Sequence, residues 1–234
     1  MRGPDTPDRL TATPLEVSTT VPTLTGPHLP PKSGTVDSVV VLLHGIGSDG
    51  NDLIGLAPYF ADRLPNTAFH APNAPERYAN AGFGYQWYPR YMLAEGDHAK
   101  RVEEAVNGFI DALLEEYDLE ASRCVLAGFS QGSIVAMHVA PRRADSLAGV
   151  VAFSGGLQTG ATLPKEKASS PPTLLVHGAD DPVLSPEESE RAAQTLNAAG
   201  VPATVHILPG LGHSIDPRGF ELAIEFIKDL LDTA

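Results

Sequence analysis

The chain has 234 residues, of which 42% are hydrophobic and 19% are charged, as is typical of a globular protein with one or two domains. Its formal net charge of −13 at pH 7 argues against a protein that binds nucleic acid or anionic lipid through a basic face. The single cysteine excludes an internal disulfide framework and a CxxC metal site. We find no run of about 18 apolar residues and no signal-peptide pattern, so we predict a cytoplasmic protein without a membrane span.

Segments typical of strands and helices alternate along the chain after a leader rich in Pro, Thr and Gly. The leader predicts an extended N-terminal arm over residues 1–35, and the remainder predicts a single domain over 36–234. Apolar runs predict strands at 36–44, 67–70, 123–129, 147–154, 173–177 and 203–208. Helical periodicity predicts helices at 51–64, 99–117, 131–143, 186–199 and 217–231, the last of them capped by Asp216. Strands separated by helices indicate βαβ units, so we predict an α/β fold with a mostly parallel central sheet and helices on both faces.

The loop after the predicted strand 123–129 contains a G-x-S-x-G motif at residues 128–132. In a parallel sheet, functional residues collect in loops at the carboxyl ends of the strands. A nucleophilic serine must project from a strand end, and the sharp turn that exposes it admits only small residues two positions to either side. The motif by itself also fits a glycine-rich turn. Its position between a predicted strand and a predicted helix favours Ser130 as a nucleophile.

A serine hydroxyl needs a general base and a group that orients this base. In one common order along the chain, the acid and then the histidine follow the serine. His213 lies in a glycine-rich loop after the last predicted strand and is the candidate base, whereas His206 lies inside that strand. The acid is expected after the strand at 173–177, where Asp180 and Asp181 are adjacent. Because adjacent side chains do not easily face the same imidazole, only one of the two is expected to act.

Acyl transfer also requires hydrogen-bond donors for the oxyanion of the tetrahedral intermediate. The backbone N–H of Gln131, directly after the serine, is one candidate, and that of Ile46, in the loop after the first strand, is the second. His44 precedes the serine along the chain, and we interpret it as a structural residue. The segment 45–50 lacks the spacing of a phosphate-binding loop, and no cluster has the spacing of metal ligands. We therefore predict neither a metal nor a cofactor.

Several segments together resemble the phospholipase/carboxylesterase family of α/β-hydrolases, which includes bacterial carboxylesterases and acyl-protein thioesterases. In the order of the family they are LLHGIGSDGNDL (42–53), APNAPER (71–77), YQWYP (85–89), GFSQGS (128–133), FSGGL (153–157), HGADDPVLSP (177–186) and GLGHSI (210–215). The resemblance implies an α/β-hydrolase fold and a serine esterase. The family's H-G-x-x-D pattern places the acid on Asp181, which gives a triad of Ser130, Asp181 and His213. The implied oxyanion donors are again Ile46 and Gln131.

The activity that this resemblance implies is hydrolysis of small to medium carboxylic esters without a cofactor, by a homodimer with no nucleic-acid partner. The alternative is a long-chain acyl thioesterase or lysophospholipase, and a less favoured one is a catalytically inactive hydrolase fold that serves as a binding module. Residues 75–93 would overhang the acyl pocket. Phe83, Trp87 and Tyr88 are candidate substrate contacts there, and ordinary core packing is an equally good reading of them. The segment 85–89 departs from the family's aromatic-acidic pattern, which leaves the preferred acyl length open.

Overall fold

The structure is a computed structural model that describes residues 23–79, 82–89, 93–94 and 97–233, so residues 1–22 of the predicted arm lie outside the described residues. The strands are β1 (His28–Leu29), β2 (Ser38–Leu43), β3 (Thr67–His70), β4 (Glu76–Arg77), β5 (Tyr85–Gln86), β6 (Cys124–Phe129), β7 (Gly149–Phe153), β8 (Thr173–Gly178) and β9 (Ala203–Leu208). The α-helices are α1 (Gly50–Ile54), α2 (Ala57–Ala61), α3 (His98–Tyr117), α4 (Gln131–Val139), α5 (Leu163–Glu166), α6 (Glu187–Ala198) and α7 (Pro217–Thr233).

The central sheet has the strand order β1-β3-β2-β6-β7-β8-β9. Its pairs from β3 to β9 are parallel, and β1 is antiparallel to β3 at one edge. Strands β4 and β5 form a separate antiparallel pair. The sheet confirms the predicted α/β class and its mostly parallel order. Because β2, β6, β7, β8 and β9 run in the same direction, the loops that follow them emerge at one edge of the sheet.

Helices cover both faces of the sheet because its central strands are apolar on both sides. Strands β2, β7 and β8 are buried along their whole length, and in β6 only Phe129, the last residue, is partly exposed. Helices α3, α4 and α6 pack on one face, around Leu126 and Val135. Helices α1, α2 and α7 pack on the other face, around Phe69 and Ile227. Burial of apolar area on two faces is the main source of stability in such a three-layer fold.

Two predicted helices differ from the structure, and both differences occur at a proline. The helix predicted at 51–64 is divided into α1 and α2, because Pro58 cannot donate a hydrogen bond to the carbonyl of Ile54 and its ring would clash with that carbonyl. The helix predicted at 131–143 is α-helical only over α4 and then tightens into a 3₁₀ turn that contains Pro141. The cap predicted for the last helix is present, since Oδ1 of Asp216 accepts from the N–H of Gly219 at 2.9 Å.

The described part of the predicted arm, residues 23–35, lies against the edge of the sheet. Strand β1 pairs with β3, and Leu24 is buried in the apolar cluster on the α3 side of the sheet. This segment is therefore packed rather than free. Whether a domain boundary lies at residue 35 stays a prediction.

Within the described residues, no helix combines the length and the apolar character that a bilayer-spanning helix needs. The single thiol, Cys124, is fully buried in β6, and burial raises its pKa to about 12. The thiol is therefore protonated at neutral pH and acts as a small apolar side chain of the core.

Helix α4 crosses β2 so closely that a Cβ on Gly132 would lie 1.9 Å from the carbonyl oxygen of Leu43. We expect Gly132→Ala to force the helix and the strand apart and to lower the free energy of unfolding by about 2 kcal/mol or more. Gly108 lies in the middle of α3, where an added Cβ would meet nothing within 4 Å. Gly108→Ala is the matched control and should raise the free energy by about 0.5–1 kcal/mol. Urea denaturation measures both, and equal effects would contradict the close-approach argument.

His70 is a buried histidine whose protonation the fold opposes. Its ring stacks on His28 with the centroids 5.4 Å apart, and its Nε2 lies 3.0 Å from the hydroxyl of Tyr117. Burial, assisted by the positive charge that His28 can carry, lowers the pKa of His70 from 6.5 to about 4. Between these two pH values the unfolded chain binds more protons than the folded chain. This contribution to stability is therefore complete above pH 6.5 and is lost as the pH falls toward 4.

We expect His70→Gln, which cannot be protonated, to flatten the pH dependence of stability. The difference in unfolding free energy between wild type and variant should shrink by about 3 kcal/mol between pH 6.5 and pH 4. Urea denaturation at intervals across this pH range makes the measurement. Parallel curves for the two proteins would show that His70 titrates normally in the fold.

Candidate active site

The turn between β6 and α4 holds Ser130 in a strained backbone conformation, with φ 54° and ψ −116°. Neighbouring backbone fixes the turn: the N–H of Ser130 donates to the carbonyl of Phe153 at 2.9 Å, and the hydroxyl of Ser133 donates to the carbonyl of Ser130 at 2.8 Å. A Cβ on Gly128 would lie 2.4 Å from the carbonyl carbon of Gly132, so both positions require glycine. This geometry is that of a nucleophile elbow, which presents the serine at the carboxyl end of its strand.

The loops after β8 and β9 meet at a short contact between Asp181 and His213. Oδ2 of Asp181 lies 2.6 Å from Nδ1 of His213, and the aspartate side chain is fully buried. The imidazole of His213 also lies against the ring of Phe129, with the centroids 4.9 Å apart. Because Phe129 directly precedes Ser130, the structure brings the predicted base, His213, and the predicted acid, Asp181, beside the elbow.

Asp180, the neighbouring aspartate, is placed differently. It is exposed, and its backbone N–H donates to the carbonyl of Leu211 at 2.9 Å. The turn between the two aspartates thus sends Asp181 into the protein and leaves Asp180 at the surface. Among the described residues, it is Asp181 that His213 contacts.

Four donors converge on the carboxylate of Asp181. Oδ1 accepts from the N–H groups of Val183 at 2.8 Å and Leu184 at 3.0 Å, and Oδ2 accepts from His213 and from Nε2 of His177 at 3.0 Å. Burial by itself raises the pKa of Asp181, but the hydrogen bonds from Leu184, His213 and Val183 outweigh burial and hold the pKa below its usual value. Asp181 is therefore ionised at neutral pH and able to stabilise positive charge on His213.

Ser130 lines a small cavity of about 60 Å³ at this edge of the sheet. The lining residues are Ile46, Tyr88, Ser130, Gln131, Ile134, Gln158, Val183 and Leu184. Both predicted oxyanion donors, Ile46 and Gln131, are thus beside the serine. Gln131 is the first residue of α4, so its N–H has no acceptor inside the helix and is available to a ligand.

The three aromatic residues predicted to contact substrate occupy different environments. Tyr88 lines the cavity and is 1% exposed. Trp87 is equally buried, but its Nε1 donates to the carbonyl of His44 at 2.9 Å, and the side chain packs in the core. Phe83 is 71% exposed and does not line the cavity. Of the three, the structure brings Tyr88 to the site.

The side chain of Gln131 ties the aromatic segment to the elbow. Its Oε1 accepts from the N–H of Trp87 at 2.9 Å, and its Nε2 donates to the carbonyl of Tyr88 at 2.8 Å. The residue that offers a backbone donor to the cavity therefore also holds one wall of it in place. Sequence reasoning considered only the backbone of Gln131, because the partners of its side chain, the N–H of Trp87 and the carbonyl of Tyr88, are more than 40 residues away along the chain.

His44 is fully buried beneath the same segment. Its Nε2 accepts from the N–H of Ala74 at 3.0 Å, and its Nδ1 donates to the carbonyl of Gly45 at 2.8 Å. Burial lowers the pKa of His44, and the hydrogen bond to Gly45 offsets this only in part. A neutral imidazole with both nitrogens bonded to backbone fits the structural interpretation of this residue.

A second, larger cavity of about 560 Å³ adjoins the first at Gln158. Its charged and polar lining residues are Lys100, Glu103, His138, Arg142, Gln158, Thr159, Thr162 and Glu166. Two of these residues, Arg142 and Glu166, form an ion pair at 2.8 Å. Sequence reasoning missed Gln158 and this cavity, since helices α3, α4 and α5, the 3₁₀ turn after α4 and the loop 158–162 all contribute to it and no local pattern marks them.

The described residues contain no group of three or more His, Cys, Asp and Glu side chains suited to hold a metal ion. The expectation that the site works without a cofactor stays a prediction. The chemistry that the described groups themselves offer is nucleophilic attack by a hydroxyl, with an imidazole and a carboxylate as its proton acceptor and orienting group.

Known proteins are similar to this chain over most of its length. The family model described as "Phospholipase/Carboxylesterase" matches residues 26–231. The chain is 26% identical to "Esterase YpfH" of Escherichia coli (strain K12), over 81% of this chain and 82% of that protein. It is 27% identical to "Acyl-protein thioesterase 1 homolog 1" of Dictyostelium discoideum, over 84% of this chain and 92% of that protein. The crystal structure of esterase PE8 matches with a TM-score of 0.84 and 39% identity, over 89% of this chain and 99% of that chain.

The neighbouring aspartates provide a matched pair of variants. We expect Asp181→Asn to lower the rate at which a fluorophosphonate reagent labels Ser130, because the amide no longer orients and stabilises the His213 imidazolium. In serine hydrolases the corresponding change lowers the rate about 10⁴-fold. Asp180→Asn changes an exposed carboxylate one position away, and the fluorophosphonate should label this variant at the wild-type rate. Similar losses in both variants would contradict the assignment of Asp181.

Proposed function

The chain belongs to the phospholipase/carboxylesterase family and has the α/β-hydrolase fold, and we propose that it is a serine carboxylesterase that hydrolyses small to medium carboxylic esters. The observation that carries this proposal is the hydrogen bond between a buried, ionised Asp181 and His213, beside a strained Ser130. Strain at a serine backbone persists only where the surrounding structure enforces it, and such strain is concentrated at functional sites.

In the proposed first step, Nε2 of His213 takes the hydroxyl proton of Ser130 while Oγ attacks the carbonyl carbon of the ester. Asp181 accepts a hydrogen bond from Nδ1–H, which sets the tautomer that leaves Nε2 free as the base. The N–H groups of Ile46 and Gln131 stabilise the oxyanion of the tetrahedral intermediate. Loss of one such donor typically costs about 2.7–4 kcal/mol of transition-state stabilisation.

In the second half of the reaction, His213 donates its new proton to the leaving alcohol, and an acyl-enzyme remains on Ser130. Water then replaces the alcohol. His213 takes a proton from this water, and the same two N–H groups stabilise the resulting tetrahedral intermediate. When the intermediate collapses, His213 returns the proton to Oγ, which releases the acid and restores the serine.

The cavity at Ser130 supports small to medium substrates. Its volume of about 60 Å³ and its mainly apolar lining suit a short acyl group. A long acyl chain that continued past Gln158 would enter the larger cavity, where it would lie among Glu103, Arg142 and Glu166. Contact between hydrocarbon and these charged groups would remove their hydration without compensation, which disfavours long chains.

The second candidate function is hydrolysis of long-chain thioesters or lysophospholipids. One observation favours it: the chain is 27% identical to a Dictyostelium discoideum protein named as an acyl-protein thioesterase homologue. The same three residues would act on a thioester, with a thiol as the leaving group. A catalytically inactive binding module is less favoured, because the strained elbow and the Asp181–His213 contact serve no purpose in simple binding.

A cytoplasmic location, a homodimer and independence of any cofactor are further parts of the proposal, and the sequence is their basis. The net charge of −13 also leaves nucleic acid outside the proposed partners.

The test of the proposed function is hydrolysis of p-nitrophenyl esters from acetyl to palmitoyl by wild type and by Ser130→Ala. We expect kcat/KM to be highest for short acyl chains, because the cavity at the serine is small. We also expect Ser130→Ala to lower kcat about 10⁶-fold, so that only the residual catalysis by the oxyanion donors and by substrate binding remains. Ser146→Ala, which removes a serine hydroxyl from the exposed loop before β7 at the opposite edge of the sheet, is the control and should stay active.

The chain-length profile decides between the candidates. Activity that rises toward palmitoyl would replace the short-ester proposal with the thioesterase or lysophospholipase function. A folded wild-type protein without turnover on any of these esters, and without labelling by a fluorophosphonate, would contradict both.

A further inference from the structure

The buried imidazole of His177 lies behind the Asp181–His213 pair. It is the fifth residue of β8, its side chain has no exposed surface, and its Nε2 lies 3.0 Å from Oδ2 of Asp181. The same oxygen accepts from Nδ1 of His213 at 2.6 Å. One carboxylate oxygen therefore stands between two imidazoles, only one of which takes part in the proposed proton transfer.

The other contacts of His177 determine which of its nitrogens carries a proton toward Asp181. Nε2 faces two acceptors, Oδ2 of Asp181 and the carbonyl of Leu184, both at 3.0 Å. Nδ1 lies 2.7 Å from Oγ of Ser189, whose hydroxyl donates to the carbonyl of Gly155 at 2.7 Å. Both neighbours of Nε2 are oxygens that can only accept, so Nε2 carries a proton and donates a hydrogen bond to Asp181.

The chain of contacts links the site to two rigid elements. Ser189 lies in the first turn of α6 and has no exposed surface, and Gly155 follows β7. His177 is itself part of β8, the strand that leads into the loop of Asp181. The position of the carboxylate is thus set by β7, β8 and α6 through one imidazole and one hydroxyl, in addition to the two backbone donors on Oδ1.

We propose that His177 is a positioning residue for the triad, and that its Nε2–H both holds Oδ2 of Asp181 in place and takes part of the negative charge that would otherwise act on His213. This inference rests on the proposed function of Ser130, Asp181 and His213. Hydrogen bonds to an ionised acceptor are stronger than neutral ones, and each additional donor on one oxygen reduces the basicity that the next donor experiences. His177 thereby limits how strongly Asp181 favours the protonated form of His213.

The ionisable groups around Asp181 are few. His177 from β8 and His213 from the loop after β9 contact the carboxylate directly. Asp180 of the same loop is exposed, and Glu188 of α6 is paired with Arg191 at 2.5 Å. Among the described residues, His177 is therefore the side chain whose removal changes the charge on Oδ2 and leaves His213 in place.

The first experiment compares the pH profiles of kcat/KM for wild type, His177→Leu and His177→Gln with a short p-nitrophenyl ester. For His177→Leu we expect the acidic limb of the profile to move to higher pH, because the charge on Oδ2 now acts on His213 alone. We also expect kcat to fall about tenfold with little change in KM, since the carboxylate has lost one of its four donors. In Gln the amide nitrogen is three bonds from Cβ, as Nε2 is in His, so His177→Gln should restore both the limb and kcat.

Thr173→Val is the matched control, because it removes a buried hydroxyl from the opposite end of β8, where that hydroxyl donates to the carbonyl of Pro171 at 3.2 Å. This variant should be less stable than wild type, and the acidic limb of its kcat/KM profile should lie at the wild-type pH. Activities are normalised to the fraction of sites that a fluorophosphonate labels, so that misfolded protein does not count. An unchanged limb in correctly folded His177→Leu, with or without a loss of kcat, would overturn the proposal and leave His177 a packing residue.

A second measurement uses the wild-type protein and needs no variant to fold. NMR of protein with ¹⁵N-labelled histidine should show Nε2 of His177 protonated across the pH range in which the enzyme is active. An unprotonated Nε2 in this range would overturn the proposal. Failure of the proposed function is distinguishable from either result, because it would show as wild-type protein that neither turns over esters nor is labelled at Ser130.

Discussion

The close approach of α4 to β2 and β6 is the constraint on which the rest of the site depends. A Cβ at Gly132 would overlap the carbonyl of Leu43, and one at Gly128 would overlap the backbone of Gly132. Since the helix begins this close to the sheet, the chain between them has no room for a relaxed turn, and Ser130 takes a strained conformation with positive φ. The free energy that the strained turn requires is supplied by the buried apolar layers on both faces of the sheet.

This short turn has three consequences for function. It presents Ser130 at the end of β6, it begins α4 with a backbone N–H that has no acceptor inside the helix, and it places the side chain of Gln131 where it binds the backbone of residues 87 and 88. The proposed nucleophile, a proposed oxyanion donor and a wall of the cavity therefore share one origin. A change that moved α4 away from the sheet would disturb all three together, although none of the residues concerned would itself have changed.

The remaining part of the site depends on the parallel order of the sheet. Strands β8 and β9 are neighbours and run in the same direction, so the loops after them bring Asp181 and His213 into contact across 32 residues of sequence. The polar groups behind them are buried and bonded, which keeps Asp181 ionised and His213 in one tautomer. In the proposed role, His177 adds one more buried hydrogen bond to Asp181 and connects this carboxylate to β8 and α6.

The sequence by itself determined the strands, most of the helices and the α/β class, because these depend on local periodicity and on short signals such as the cap at Asp216. It also marked the elbow at Ser130, where the motif is five residues long, and its resemblance to the phospholipase/carboxylesterase family is confirmed. Its residues alone left Asp180 and Asp181 equivalent, failed to divide the helix at Pro58 and treated Trp87 as a possible substrate contact. The family resemblance placed the acid on Asp181, and the tertiary structure brings this aspartate into contact with His213. Only the tertiary structure decided that Trp87 packs in the core and that the side chain of Gln131 has partners far along the chain. These features are contacts between distant segments, and a single sequence carries no local pattern for a distance in space.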